Sequence, residues 1–261
     1  MPKTHKKIKD GEILPDMRPV VAGSGSNTEN IYFAIDREAK EMVPKLDSYW
    51  QDTPHALRDI KEENDKGPQP PHTIPVTMDI VGMYNNIGHE EGMDCFRKAL
   101  NSSKFRPNPI LPTEFLMTLL MFVLTMNVFI FNGSYYHQLW GTAMGTRVAP
   151  SYACIFMGFL EIALLGAWTG TKLRMYRRYI DDGFFLWDGT KEELSESIKH
   201  CNSFHPTIKF TFEFNFETKS VNFLDMVIWI DDNGLIQTDL FKKAGRKKQY
   251  LLPSTAHPQH T

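Results

Sequence analysis

The chain has 261 residues, of which 42% are hydrophobic and 23% are charged, a composition that excludes a disordered tail and is typical of a globular protein. Its formal net charge of −2 excludes a basic surface over the whole molecule, so any contact with nucleic acid has to come from local clusters of Lys and Arg. Three widely spaced cysteines argue against a disulfide framework and a zinc site. With no apolar signal segment at the start, we expect an intracellular protein, nuclear or cytoplasmic.

The first third of the chain predicts one short strand and two helices. The strand is predicted at Arg18-Pro19-Val20-Val21, and a loop rich in Gly and Ser then caps a helix over residues 29–48. A second, acidic helix is predicted over residues 56–66. Three prolines within residues 67–71 remove backbone donors and forbid a helix, so this extended linker is the best internal boundary of the chain.

The segment after the linker predicts a strand, two helices and a hairpin. An apolar strand ends at Asp79, and helices are predicted over residues 90–101 and 113–125. Asn132-Gly133 lies between two β-rich runs and predicts a hairpin with a type I′ turn. Residues 115–131 could pass for a membrane span, but the run is short and contains Thr and Asn, so we expect a buried helix running into a strand and no membrane contact.

The last part of the chain alternates helices with hairpins. A glycine loop at residues 141–145 opens a helix over 148–168, and a hairpin carrying Asp181-Asp182 follows it. The pattern then predicts an amphipathic helix over 191–204, a strand over 208–214 and a final hairpin that turns at Asn233-Gly234. This mixture of elements predicts an α+β fold in which an antiparallel sheet is backed by helices.

Three carboxylates carry the strongest functional signal. Asp79 closes an apolar strand, whereas Asp181 and Asp182 are adjacent on a predicted hairpin tip that Asp182-Gly183 would draw tight. Neighbouring residues of a regular strand point to opposite faces, so these two acids can converge only at such a turn. Carboxylates suit two Mg²⁺ ions, with Mn²⁺ as an alternative, and two-metal sites transfer phosphoryl groups. Taken alone, Asp79 could equally be a strand-end cap and Asp-Asp-Gly an ordinary turn.

The order of several motifs resembles the palm of reverse transcriptases. The motifs are the acidic segment Asp79-Ile80-Val81-Gly82-Met83-Tyr84, the glycine loop Met144-Gly145-Thr146 with its helix, and the box Tyr179-Ile180-Asp181-Asp182. Residues 2–6, 18–26, 222–225 and 249–261 are similar to the Penelope-like retroelement branch, so that the resemblance runs from the first residues to the last. It implies a reverse-transcriptase-like right-hand polymerase with fingers and palm, in which the antiparallel palm sheet is backed by helices and the thumb is missing.

The resemblance implies a division into five parts. Residues 1–73 would form the fingers, and residues 74–127 the palm with the first acidic motif and the helices after it. The hairpin and glycine loop at the fingers/palm junction would occupy residues 128–146, and the palm with the catalytic hairpin residues 147–230. Residues 231–261 would form the end of the primer grip and the start of the thumb connection.

The resemblance also implies a role for each matching residue. Asp79 and Asp181 would bind both metal ions, Asp182 would support them, and Ile80 would contribute its backbone. The residues that would contact the dNTP are Arg18, Tyr84, Gly145 and Lys209. Arg18 would grip the triphosphate with its fork of donors, Tyr84 would exclude a 2′-hydroxyl, and Gly145 would leave room for the base. The residues that would contact primer or template are Met144, Tyr179, Phe223 and Leu224.

We therefore expect the core of a retroelement RNA-directed DNA polymerase, which transfers nucleotides from dNTPs to the 3′-hydroxyl of a DNA primer on an RNA template. Two alternatives stay open. The near-neutral charge and the missing thumb also fit a degenerate remnant that binds nucleic acid without catalysis. RNA-directed RNA synthesis would use the same metal site but conflicts with the bulky Tyr84. The sequence does not indicate any protein partner.

Overall fold

The protein is described by a computed structural model that covers residues 20–21, 25, 28–167 and 172–241. Arg18, the segments 2–6 and 249–261, and most of the segment 18–26 fall outside these residues, so the predictions made for them stay predictions.

Helices and strands alternate along the described residues. The helices are α1 (Glu29–Met42), α2 (Thr53–Asp65), α3 (Met83–Asn86), α4 (His89–Leu100), α5 (Thr113–Thr125), α6 (Val148–Ala167) and α7 (Lys191–Phe204), with a 3₁₀ turn at Val43–Lys45. The strands are β1 (Thr73–Ile80), β2 (Val128–Phe131), β3 (Ser134–His137), β4 (Leu173–Tyr179), β5 (Asp182–Asp188), β6 (Phe210–Phe214), β7 (Ser220–Phe223), β8 (Met226–Ile230) and β9 (Ile236–Leu240).

Local sequence signals explain most of these boundaries. The α1 helix ends at Met42 instead of residue 48, because Pro44 cannot continue an α-helix and lies within the 3₁₀ turn that follows. The α2 helix begins earlier than predicted, since the Asp52 carboxylate accepts a hydrogen bond from the His55 N–H at 2.8 Å and caps its first turn. The short α3 was not predicted, and β6 begins at Phe210 instead of residue 208.

The β2–β3 hairpin has the predicted turn. Asn132 and Gly133 have φ angles of 48° and 77°, and positive values at both central residues are what a type I′ turn requires.

The apolar helix α5 is buried on one face only, which corrects the expectation of a buried helix. Leu116, Leu120 and Val123 are in the core, whereas Phe115 and Phe122 are about half exposed. Within the described residues, the helix that is long and apolar enough to cross a membrane is α6, at Val148–Gly166. Of its apolar 18-residue stretch, 67% is buried inside the protein.

One antiparallel sheet organises the molecule, in the strand order β4-β5-β1-β6. Side chains of β1 alternate, and those of Ile74, Val76, Met78 and Ile80 enter a core that also contains the buried faces of α1, α4, α5 and α6. On β5, Phe184 and Leu186 belong to a second core with Trp50 and the three-stranded sheet β7-β8-β9. The predicted α+β arrangement of an antiparallel sheet backed by helices is therefore present.

Candidate active site

The pairing of β1 with β5 brings two of the predicted acids together. In this antiparallel pair Asp79 lies directly opposite Asp182. Side chains of directly opposite residues share one face of the sheet, with Cβ atoms about 4.5–5.5 Å apart. Asp79 and Asp182 therefore meet at the same end of the sheet although they are far apart in the sequence.

A two-residue turn places the third acid beside them. Tyr179 pairs with Asp182, so the hairpin loop consists of Ile180 and Asp181. The predicted turn at Asp182-Gly183 is wrong, because these are the first two residues of β5. Gly183 instead packs closely against β1. A Cβ at this position would lie 2.7 Å from the terminal methyl carbon of Met78, so that this flexible side chain would have to shift.

Backbone contacts tie this turn to the end of β1. The Ile80 N–H donates to the Asp181 carbonyl at 3.0 Å. The Ile80 side chain is buried, so the backbone of this residue is the part that lies beside Asp181. Ile180 has a φ of 55°, a conformation that β-branched residues rarely adopt.

The charges of Asp181 and Asp79 oppose the ionisation of Asp182. Burial, followed by the charges of Asp181 and Asp79, raises the pKa of Asp182 to about 6. Burial also raises the pKa of Tyr84, with smaller contributions from Cys154 and Asp181. A cation placed among these groups would relieve the repulsion.

The three carboxylates could supply only some of the ligands that a Mg²⁺ ion needs. Within the described residues, no group of three or more His, Cys, Asp or Glu side chains is close enough together to hold a metal ion. Mg²⁺ does not require such a cage, since it keeps several waters and binds through one or two carboxylates together with substrate phosphates. The carboxylates of Asp79, Asp181 and Asp182 thus suit an ion that shares its ligands with a bound substrate.

An open cleft of about 320 Å³ adjoins Asp79 and Asp182. Its walls come from β1, β5 and β6, with Asp79, Asp182 and Thr211, and from the β7–β8 hairpin, with Asn222 and Leu224. A polymer chain lying in this cleft would touch Asp79, Asp182 and the tip of the β7–β8 hairpin.

The two predicted primer-grip residues have different environments. Phe223 is 3% exposed, and its ring lies 5.6 Å from both the Trp50 and the Phe184 rings, measured between centroids, so it is a core residue, although it also contributes to the cleft wall. Leu224 occupies the hairpin tip with a φ of 52° and lines the cleft. Tyr179 is partly buried against the same core as Phe223.

The glycine loop packs against the start of the described chain. The Val21 N–H donates to the Met144 carbonyl at 2.8 Å. Gly145 has a φ of 106°, and a Cβ there would lie 2.4 Å from the Val21 carbonyl oxygen. In the structure, the space left by this glycine is taken by Val21, so glycine is required here for that backbone approach.

The Lys209 ammonium is bonded to the end of α7. Its ammonium donates to the carbonyls of Asn202 at 2.6 Å and of His205 at 2.8 Å. These carbonyls lie at the C-terminal end of α7, which attracts cations because its carbonyls lack helical partners. The structure therefore assigns this side chain a capping role at α7, and its contact with a dNTP stays a prediction.

Two charged residues behind the hairpin were not predicted to be functional from the sequence. Arg178 and Glu161 form an ion pair with side chains that are 0% and 3% exposed. A signal was present, because Glu161 is the single charged residue in the apolar helix α6, and a buried charge requires a partner.

No protein-family model matches the chain, and no curated protein matches its sequence. Its fold matches solved polymerases. Telomerase from Candida tropicalis superposes with a TM-score of 0.59 at 11% identity, covering 82% of this chain and 40% of that one. Telomerase from Candida albicans, solved with the TWJ fragment of telomeric RNA, gives 0.57 at 9% identity, covering 80% and 38%. The RNA-dependent RNA polymerase of BmCPV gives 0.54 at 10% identity, covering 82% and 20%.

This chain spans less than half the length of each of these polymerases. At such low identities the likeness shows a shared fold and nothing finer. The described residues therefore have a polymerase palm-like fold, of the kind found in telomerase and in viral RNA-dependent RNA polymerases.

Proposed function

We propose that this chain is the core of an RNA-directed DNA polymerase of a Penelope-like retroelement, acting inside the cell. It would transfer nucleotides from dNTPs to the 3′-hydroxyl of a DNA primer on an RNA template. One observation carries the proposal: β1 and β5 pair so that Asp79 faces Asp182, with Asp181 on the adjoining turn, beside an open cleft.

The residues divide the work as follows. Asp79 and Asp181 would hold two Mg²⁺ or Mn²⁺ ions, with Asp182 in support. When bound, such ions stabilise the charge on the attacking and leaving oxygens. The primer end would lie along the cleft against Leu224, and the sugar of the dNTP would meet the ring of Tyr84. A template of RNA is supported by the telomerase from Candida albicans, which was solved with an RNA fragment.

Primer extension on an RNA template tests this function. We expect extension with dNTPs and Mg²⁺ by the protein carrying its natural flanks, and a loss of about 10²-fold or more in Asp181→Asn, because metal-assisted charge stabilisation is worth several kcal/mol. Asp232→Asn removes the same charge from an exposed loop and should leave extension unchanged.

Two outcomes would overturn the proposal. One is an intact protein that fails to extend any primer, and the other is full activity in Asp181→Asn. RNA binding that is salt-sensitive and survives Asp181→Asn, without any extension, would indicate the non-catalytic alternative.

The likeness to the BmCPV polymerase favours RNA-directed RNA synthesis as a second candidate. The two candidates differ in the sugar that they accept, which Tyr84 would select by the size of its ring. We expect the wild type to prefer dNTPs, Tyr84→Ala to accept NTPs as well, and Tyr84→Phe to behave like the wild type. A wild-type preference for NTPs would replace DNA synthesis by RNA synthesis.

A further inference from the structure

The turn that carries Asp181 has an unfavourable backbone conformation. Ile180 is β-branched and has a φ of 55°. Strained residues of this kind persist only where the surrounding structure holds them in place. The contacts of the Ile180 backbone therefore decide where Asp181 and Asp182 lie.

Arg178 provides such a contact from inside the protein. Its guanidinium donates from Nη1 to the Ile180 carbonyl at 2.7 Å and from Nη2 to the Cys154 carbonyl at 3.2 Å. The backbone of Arg178 is fixed as well, because its N–H donates to the Ser48 carbonyl at 2.6 Å and its carbonyl accepts from the Trp50 N–H at 2.8 Å. The guanidinium thus connects the strained turn to α6, while the Arg178 backbone is bonded to the segment before α2.

Glu161 fixes the orientation of that guanidinium. Its carboxylate pairs with Nε and Nη2 of Arg178 and also accepts hydrogen bonds from the Ser48 hydroxyl at 2.5 Å and the Tyr176 hydroxyl at 2.7 Å. Four donors satisfy this buried carboxylate. Arg178 is consequently held in one orientation while its other edge reaches the turn.

Stability alone does not explain a pair of this kind. Apolar residues of similar volume often replace a buried ion pair without loss of stability. A second buried pair, Arg106 with Glu38, offers a comparison: both side chains are 4% exposed, and Glu38 accepts from the backbone N–H groups of Ile110 and Leu111. That pair holds a loop before α5, whereas the Arg178 pair holds the turn with the acids.

We propose that Arg178 and Glu161 are positioning residues, which hold the Ile180 carbonyl so that Asp181 and Asp182 converge on Asp79. The catalytic part of this inference rests on the proposed function, but the positioning of the turn does not. Arg is required because its planar fork reaches Glu161 and the Ile180 carbonyl together, which the single ammonium of a lysine does not.

Replacing both partners by apolar residues separates positioning from folding. The double variant Arg178→Met/Glu161→Met leaves no unpaired charge, and Arg106→Met/Glu38→Met is the matched control. Two readouts do not depend on activity: hydrogen exchange of the Ile80 N–H, which is bonded to Asp181, and the methyl resonance of Ile180. Circular dichroism reports folding in both variants.

We expect both double variants to fold. Only Arg178→Met/Glu161→Met should show faster exchange at Ile80 and a shifted or broadened Ile180 methyl signal. Its kcat for primer extension should fall by about 10²-fold with little change in KM, as for a misplaced catalytic group. The control should match the wild type in all three measurements.

Ile80 exchange and an Ile180 signal that equal those of the wild type would overturn the proposal. If the double variant does not fold, Arg178→Lys keeps the charge and should still loosen the turn, and a wild-type turn in Arg178→Lys would overturn the proposal equally. A wild type that extends no primer would contradict the proposed function, while the two readouts at Ile80 and Ile180 would still decide the positioning.

Discussion

At the scale of single residues, the environment of Asp182 opposes its ionisation. Burial and the charges of Asp181 and Asp79 raise the pKa of Asp182 in the folded protein to about 6, whereas an aspartate in an unfolded chain has a pKa of about 3.9. Between these values the folded protein binds more protons than the unfolded chain. Its stability without metal therefore falls as the pH rises from about 4 to about 6, and the loss persists above that window.

Asp182→Asn should consequently raise the stability of the metal-free protein at pH 7.5. We expect a gain of about 1 kcal/mol, less than the full shift implies because the site is partly open to solvent, and this gain should shrink as the pH falls from about 6 to about 4. Urea unfolding with a chelator at a series of pH values measures it. Asp232→Asn serves as the control, and equal stabilisation by the two variants would show that the repulsion is not local.

At the scale of elements, two hairpin tips frame the cleft. The β4–β5 loop is Ile180-Asp181 and the β7–β8 loop is Leu224-Asp225, and in each the first residue has a positive φ. The first tip carries a catalytic candidate. The second presents Leu224 to the cleft while its neighbour Phe223 anchors the hairpin in the core beneath.

The two neighbours should therefore respond differently to truncation. Phe223→Ala should lower the free energy of unfolding by about 3–5 kcal/mol, since it empties a packed aromatic site. Leu224→Ala should lower stability much less, because Leu224 is only partly buried against that core, and it should weaken primer binding, measured by the Kd for a labelled primer–template. Primer affinity unaffected by Leu224→Ala, or a stability loss as large as that of Phe223→Ala, would contradict this assignment.

At the scale of the whole molecule, one sheet supports two cores. Trp187 on β5 enters the core with the helices, whereas Phe184 and Leu186 on the opposite face enter the core with Trp50 and the β7-β8-β9 sheet. Because β5 contributes side chains to both cores, neither core can unfold without exposing the other face of that strand.

Unfolding in urea should therefore be a single transition. Trp50→Phe and Trp187→Phe each remove a buried reporter from one core, so the fluorescence of the two variants is weighted toward opposite faces of the sheet. Within each variant we expect the fluorescence midpoint to coincide with the midpoint from circular dichroism, which is a test of two-state behaviour. Separate midpoints would show that the two faces unfold independently.

Local patterns predicted elements better than they predicted contacts. The α5 and α7 helices and the type I′ turn at Asn132-Gly133 are confirmed, because periodicity, capping residues and turn residues act within a few positions of the chain. The predicted turn at Asp182-Gly183 is wrong by two residues, because the position of the turn depends on how β4 pairs with β5, and the local Asp-Gly pattern does not contain that pairing. In the structure, Gly183 lies within β5, opposite Met78 of β1.

The sequence by itself determined most of the helices and strands and their order, and it placed acids near the end of β1 and on the hairpin. Only the tertiary structure decided that Asp79 faces Asp182, that Phe223 is in the core, that Lys209 caps α7, and that Arg178 and Glu161 hold the turn. The physical reason is the separation along the chain between the residues that determine each feature. Helices and turns follow from neighbours along the chain, whereas strand register and buried ion pairs depend on residues that meet only after the sheet and its two cores have packed.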